Sequence, residues 1–296
     1  LIGLEIEALQ AEHEETMKNI ALYKDILDNY DSMAAVIIKD MDAIKKEYGR
    51  KRRTAIENAE EAVYEEKKME EMEVCFLMDR FGYMKLIDKN AYERNKEAVH
   101  NENKYVFNCM NTDKICIFTD TGKMHTIKAV DIPLGRFRDK GTPVDNLSNY
   151  DSSQERMLYV APVGQLRSDR LLFVTKTSMC KLVEGAEFDV AKRTIASTKL
   201  ADEDELIFIG SASEMEQIVL QSHGGCFLRF LTQEVSTMKK TALGVRGMKL
   251  ADDDYLEHAY LLAGHQEYTI SYHDKEYALN KVRLAKRDTK GIKPRI

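Results

Sequence analysis

The strongest constraint on this 296-residue chain is a segment that occurs twice. Lys199-Leu200-Ala201-Asp202-Glu203-Asp204-Glu205-Leu206 returns as Lys249-Leu250-Ala251-Asp252-Asp253-Asp254-Tyr255-Leu256, displaced by 50 residues. Recurrence at that period marks an array of similar modules. Five stretches share a finer pattern of short apolar strand, polar or glycine turn, and second apolar strand. They run from Val74 to Ile87 turning at Gly82, Ile115 to Ile127 at Gly122, Leu171 to Val183 at Thr177-Ser178, Ile218 to Leu231 at Gly224-Gly225, and Tyr268 to Leu279 near Asp274. Each is a hairpin in sequence terms, because apolar and β-branched residues flank a turn that tolerates positive φ. A hairpin cannot bury its own apolar face, so the economical solution is a mainly β propeller or pinwheel of about five four-stranded blades stacked on one another. An ordinary sandwich with accidental internal similarity is the alternative.

Composition separates the chain into unlike parts. Residues 1 to 72 carry 11 Lys and Arg against 18 Asp and Glu, net −7, although the whole chain is only −6, so the remainder is near neutral. Leu4, Leu9, His13, Met17, Ile20 and Leu27 mark a helix over residues 4 to 28. Ser32 is read as the N-cap of a second helix through Tyr48, whose stripe is Val36, Ile37, Met41, Ile44 and Tyr48 and which Gly49 ends. The organisation expected is a helical arm over 1–56, a charged linker over 57–73 and repeats over 74–296. The chain begins at Leu1 without an initiator methionine and stops inside the fifth module, which reads as part of something longer.

No run approaches the length of a membrane span and no signal peptide is visible. The five cysteines form no Cys-x-x-Cys pair, and four of them sit in or beside apolar strand runs, as buried reduced thiols do. A cytoplasmic protein is expected. The seven histidines form no metal-spaced set and adjoin no nucleophile motif, and there is no Walker loop. The acidic clusters at 202–205 and 252–254 precede strands and lack the pattern of a calcium loop, which favours solvated loops over a cation site. Neither a catalytic nor a metal-ligating residue is expected.

Ile37 through Thr54, ending in Gly49-Arg50-Lys51-Arg52-Arg53-Thr54, resembles the end of the coiled-coil arm in the A subunits of bacterial type II DNA topoisomerases, DNA gyrase and topoisomerase IV. Leu1-Ile2-Gly3-Leu4-Glu5 is similar to the opening of that arm's descending helix. Phe81-Gly82-Tyr83-Met84-Lys85, Lys140-Gly141-Thr142-Pro143-Val144-Asp145-Asn146-Leu147 and Thr241 through Leu250 resemble successive blades of the family's C-terminal β-pinwheel. The resemblance spans nearly the whole chain in family order.

It implies half of a two-helix arm, then a pinwheel whose outer rim binds and bends double-stranded DNA. It also implies an A2B2 holoenzyme, formed by an A-subunit homodimer with a B subunit that carries ATP and magnesium, so the fragment itself is expected to hold no cofactor. The family's catalytic tyrosine lies upstream of anything in this chain, so no activity of the chain alone is implied. The gyrase A box, Gln-Arg-Arg-Gly-Gly-Lys-Gly, is expected shortly after the first hairpin. There the chain has Tyr92-Glu93-Arg94-Asn95-Lys96-Glu97-Ala98-Val99-His100-Asn101, with no paired glycines. That absence favours a topoisomerase IV-like protein, or a gyrase-like one with weakened wrapping; a gyrase A C-terminal domain that wraps DNA for negative supercoiling is the alternative within the family. A propeller scaffold for protein partners is the alternative of another class.

Duplex DNA is met mainly through phosphates, so cations recurring along one edge are the candidates. They follow each hairpin: Arg136, Arg138 and Lys140; Lys192 and Arg193; Lys239, Lys240 and Arg246; Lys286, Arg287, Lys290 and Lys293. Lys85, Lys123, Lys181 and Arg229, within the hairpins, form a second tier. Gly141 and Gly247 are read as tight strand-entry turns rather than as points of phosphate approach.

Overall fold

The computed structural model describes residues 2–54, 70–264 and 266–294. The chain divides into two compact units, Leu1–Lys67 and Lys68–Ile296. The expected linker falls largely on residues outside those described.

In the first unit, helix α1 (Ile2–Asp28) is followed after one residue by α2 (Tyr30–Tyr48). The cap of α2 is Asn29, whose side chain accepts the backbone N–H of Asp31. Ser32, expected in that role, instead donates its hydroxyl to Asp25 across the break at 2.6 Å. The side chains of the expected stripe, including Ile37, Met41, Ile44 and Tyr48, are exposed.

In the second unit, β1 (Glu73–Asp79) and β2 (Tyr83–Asp88) form the first hairpin. A helix, α3 (Lys89–Glu102), then leads to β3 (Asn103–Met110), which pairs with β1. The chain builds the next hairpin, β4 (Lys114–Thr119) and β5 (Lys123–Lys128), before returning to the first sheet as β6 (Thr142–Pro143) beside β2. The first blade is therefore completed by a strand that arrives after the following hairpin.

The rule repeats. Strand β7 (Met157–Pro162) pairs with β4, the third hairpin is β8 (Arg170–Thr175) and β9 (Met179–Glu184), and β10 (Thr194–Ala196) returns to β5. Strand β11 (Leu206–Ser211) pairs with β8, the fourth hairpin is β12 (Gln217–Ser222) and β13 (Phe227–Leu231), and β14 (Val245–Arg246) returns to β9. Strand β15 (Leu256–Leu262) pairs with β12, the fifth hairpin is β16 (Thr269–Tyr272) and β17 (Lys275–Ala278), and Ile292 closes the fourth sheet through a bridge to Phe227. Three sheets are four-stranded, the fourth has three strands plus that bridge, and the fifth is a bare hairpin among the described residues.

The expected hairpins all appear, and their turns take positive φ at Gly82, Gly122, Ser178, Gly225 and the pair His273-Asp274. The core lies between blades. Met84, Leu86, Ile115, Ile117 and Ile127 fill the first interface. Phe118, Phe173 and Phe188 fill the second, with Phe118 and Phe188 edge to face at 4.9 Å. Leu182, Leu220, Leu228 and Phe230 fill the third. Blades buried on both faces need continuous apolar strands rather than alternating ones, which is why Ile115-Cys116-Ile117-Phe118 reads as an unbroken run. Among the described residues no sheet precedes the first blade to cover its outer face. There α3, capped by Asp88, packs Val99, Ala91 and Tyr92 onto Cys75, Leu77 and Ile87.

Candidate nucleic-acid interface

Successive sheets touch one another through β3, β7, β11 and β15, so these strands face the middle of the wheel. The short returning strands and the loops that carry them lie at the opposite edge of each sheet. Ten residues separate the 3₁₀ turn after a hairpin from the returning strand in three cases, 132–141, 235–244 and 282–291. Five do so at the second blade, 189–193.

The long loops share one register. The fifth residue is always an exposed cation: Arg136, Lys239 and Lys286. The tenth is a glycine at positive φ: Gly141 (83°), Gly244 (108°) and Gly291 (70°). A β-carbon at these glycines would lie 2.5, 2.7 and 2.7 Å from the carbonyl oxygens of Met84, Cys180 and Phe227 respectively, so both the conformation and the approach require glycine. Gly141 is therefore a strand-entry turn. Gly247 has another reason: its N–H donates to the Ser178 carbonyl, and a β-carbon would meet Cys180 Sγ and Leu220 at 2.6 Å.

The twelve candidate cations divide by what they already touch. Arg136, Arg138, Lys140, Lys192, Arg193, Lys239, Lys286, Lys290 and Lys293 are exposed, and none forms a side-chain hydrogen bond or ion pair with another described residue. Lys140 Nζ lies over the Tyr83 ring at 4.4 Å. Lys240 Nζ donates to the Glu187 carbonyl at 2.9 Å, and Arg287 donates to the carbonyls of Glu234 and Arg246. Arg246 is paired with Asp288 through Nε at 2.5 Å and a second nitrogen at 3.0 Å; that hydrogen bonding holds the Asp288 carboxyl below its usual range. These three brace the loops, while the other nine form the accessible positive edge.

The second tier is arranged differently. Lys85 Nζ points under its return loop and donates to the carbonyls of Phe137 and Asp139. Lys181 does the same under the third blade's loop, donating to Lys240 O at 2.8 Å and Ala242 O at 2.7 Å. Lys181 is 1% exposed, and burial lowers its ammonium to about 8. A buried lysine that spends two of its three N–H donors on inward carbonyls staples the loop, and its burial keeps the third from a phosphate outside. Arg229 likewise donates to the Asn280 carbonyl. At the second blade the equivalent position is His125, 1% exposed, between Thr194 Oγ1 at 3.1 Å and Glu155 Oε2 at 3.0 Å. Lys123 joins the same carboxylate at 3.1 Å. Burial pushes Glu155 up, but hydrogen bonds led by that from His125 outweigh it and leave the carboxyl below its usual range.

The duplicated segment locks the blades. Glu203 and Asp253 both take φ of 60°, and the aspartate that follows each reaches the neighbouring hairpin turn. Asp204 accepts Thr177 N–H at 3.1 Å and Thr177 Oγ1 at 2.6 Å; Asp254 accepts Gly224 N–H at 2.9 Å. The third acid of each cluster is thus a latch and not the solvated loop residue expected. Lys199 and Lys249, which open the two copies, donate their backbone N–H to return-loop carbonyls and expose their side chains. They belong with the positive edge, and their recurrence was the signal that could have found them.

Residues 113–152, 169–213 and 216–263 match the model of the DNA gyrase C-terminal domain, β-propeller; these are the second, third and fourth hairpin modules. The chain is 30% identical over 258 residues to the DNA gyrase A subunit of Clostridium acetobutylicum, covering 83% of this chain and 31% of that one. It is 25% identical over 309 residues to the DNA gyrase A subunit of Ureaplasma parvum, covering 99% of this chain and 36% of that one. The chain spans about a third of the length of these curated relatives. Its fold is similar to the crystal structure of the C-terminal domain of DNA topoisomerase IV, with a TM-score of 0.66 and 22% identity over 75% of this chain and 72% of that one. No helix among the described residues is long and apolar enough to cross a membrane. With the repeat, the swapped blades and these matches together, the chain belongs to the family of bacterial type II topoisomerase A subunits, in which it corresponds to the C-terminal β-propeller and the helical segment before it.

Proposed function

We propose that the second unit binds and bends double-stranded DNA as part of a topoisomerase IV-like A subunit, supporting ATP-dependent passage of one duplex through another. The carrying observation is the register of exposed cations at the fifth position of the three long return loops, continued by Lys192 and Arg193 at the short one. Cations at one edge of successive blades meet successive phosphates of a duplex curved along that edge, and added contacts offset the bending energy. The site where a box motif would favour chiral wrapping is occupied by α3, a helix that covers an apolar face. In the holoenzyme this part would act with a B subunit, which supplies ATP and magnesium, and with a second copy of the A subunit. A scaffold for protein partners explains neither the cation register nor the family match.

A mobility shift at increasing salt tests binding. With about six phosphates engaged, affinity falls on the order of a thousandfold between 50 and 200 mM salt; salt-insensitive binding would return the scaffold reading. The sequence relatives are named as gyrase, which keeps that alternative in play. Ligating nicked plasmid with the chain bound separates the two. Little change in linking number supports bending without wrapping, and a substantial positive change supports gyrase.

A further inference from the structure

We propose that the tip of the first hairpin is an aromatic anchor on DNA, with Phe81 stacking against a base step where the duplex bends; this rests on the DNA-binding reading above. Phe81 is 79% exposed at a turn that is fixed from within. Asp79 Oδ1 accepts the backbone N–H groups of Phe81 at 2.8 Å and Tyr83 at 3.0 Å, and Gly82 takes φ of 82°. The ring is therefore held outward by a rigid backbone rather than carried on a loose loop. The corresponding tips of the other hairpins hold Thr121, Thr177, Gly224 and His273, so this feature is not part of the repeated framework.

The surroundings give the partner its chemistry. Phe81 borders a groove of about 730 Å³ that Arg80, Tyr83, Arg138 and Lys140 also line. Tyr83 pairs with Pro143 on the returning strand, which sets the tip beside the positive edge. Of the groove's acids Asp79, Glu102 and Asp139, Asp79 accepts the turn's backbone hydrogen bonds and Asp139 accepts Arg136 N–H at 2.7 Å. Arg80, Arg138 and Lys140 form no ion pair among the described residues. An exposed phenyl ring flanked by three such cations matches what a bent duplex offers, a partly opened base step between two phosphate rows. Stacking of this kind is tolerant of sequence.

The test uses the full chain with two duplexes, one fully paired and one carrying a single unpaired base next to a 2-aminopurine reporter. The native chain is expected to bind the second more tightly and to quench the reporter. Phe81→Ala should lose about tenfold in affinity for it, together with the preference and the quenching, at an unchanged salt slope. Phe81→Trp should retain all three. Lys140→Ala should keep the preference while the salt slope falls by about 0.9. If Phe81→Ala binds both duplexes as the native chain does, or the native chain shows no preference, the anchor is overturned while DNA binding stands. If the native chain binds neither duplex at low salt, the DNA-binding reading falls and the anchor with it.

Discussion

The second and third blades solve one problem with different chemistry. In both, the third residue of the hairpin's second strand is buried near the sheet's outer edge and needs polar partners. At the third blade ten loop residues arch outward and leave two carbonyls pointing in, which Lys181 satisfies. At the second blade the loop is five residues long, no such arch forms, and His125 fills the place with Glu155 and Thr194 as partners. Loop length thus decides which polar side chain can be buried there, because a buried donor must find its acceptors. A cation in a strand says little about DNA until the loop above it has been counted.

The comparison breaks most readily at Lys181. Lys181→Met should cost about 1–3 kcal/mol, since Ala242 O and one side of Lys240 O lose their donor, and urea unfolding would read it; an unchanged midpoint would mean the loop needs no staple. At the second blade, His125→Leu should cost about 1–2 kcal/mol by stripping Glu155 of its buried partner while Lys123 remains. A double-mutant cycle with Glu155→Gln should show coupling between the two residues that is missing between either one and Lys181.

The two blades should also differ in their pH response. The folded Lys181 ammonium, at about 8, lies below its unfolded value of 10.5, so between these limits the unfolded chain binds more protons and stability rises with pH. The slope from this one group is at most about 1.4 kcal/mol per pH unit, and Lys181→Met should remove it. Glu155 works at the other end: its folded value lies below its unfolded one, so its contribution is lost as pH falls through the folded value, and Glu155→Gln should flatten that acid limb. A smaller effect is expected at the latch. Asp254→Ala should cost about 1 kcal/mol through the Gly224 turn. The smallest concerns DNA: Lys239→Ala should leave stability unchanged and lower the salt slope by about 0.9, whereas Arg287→Ala, whose side chain braces Glu234 and Arg246, should perturb unfolding before binding.

Much of the fold was legible because hairpin turns announce themselves: glycine or a short polar residue at positive φ between two strand-like runs locates all five, although the runs of the fifth, Thr269–Tyr272 and Lys275–Ala278, are largely polar. The strand exchange was not legible. Thr142–Pro143 and Val245–Arg246 are two residues each, too short for any periodicity, and their partners lie far back in the chain. The nine accessible cations could be named from recurrence alone, but Arg246, Lys240 and Arg287 look identical to them in sequence until Asp288, Glu187 and Glu234 are brought alongside. Lys85 and Lys181 misled for the opposite reason, because a lysine in a strand reads as surface although its stem can cross an apolar layer and its head can meet carbonyls. The helix α3 had a readable cap in Asp88, but the apolar face it covers, Cys75, Leu77 and Ile87, is defined only once β1 and β2 are paired.

The late arrival of each closing strand gives the wheel a direction in time. As the chain leaves the ribosome, Tyr83 has to wait for Pro143, and Met179 for Arg246, so no blade can finish before its successor has been started. Nascent modules are held open in sequence, each with an unpaired edge protected only by the speed of synthesis. Once each late strand has joined its sheet, a protease cut in one return loop frees no blade, because the severed strand is still held by the sheet it has joined. Such a wheel is slow to assemble and hard to take apart piecemeal.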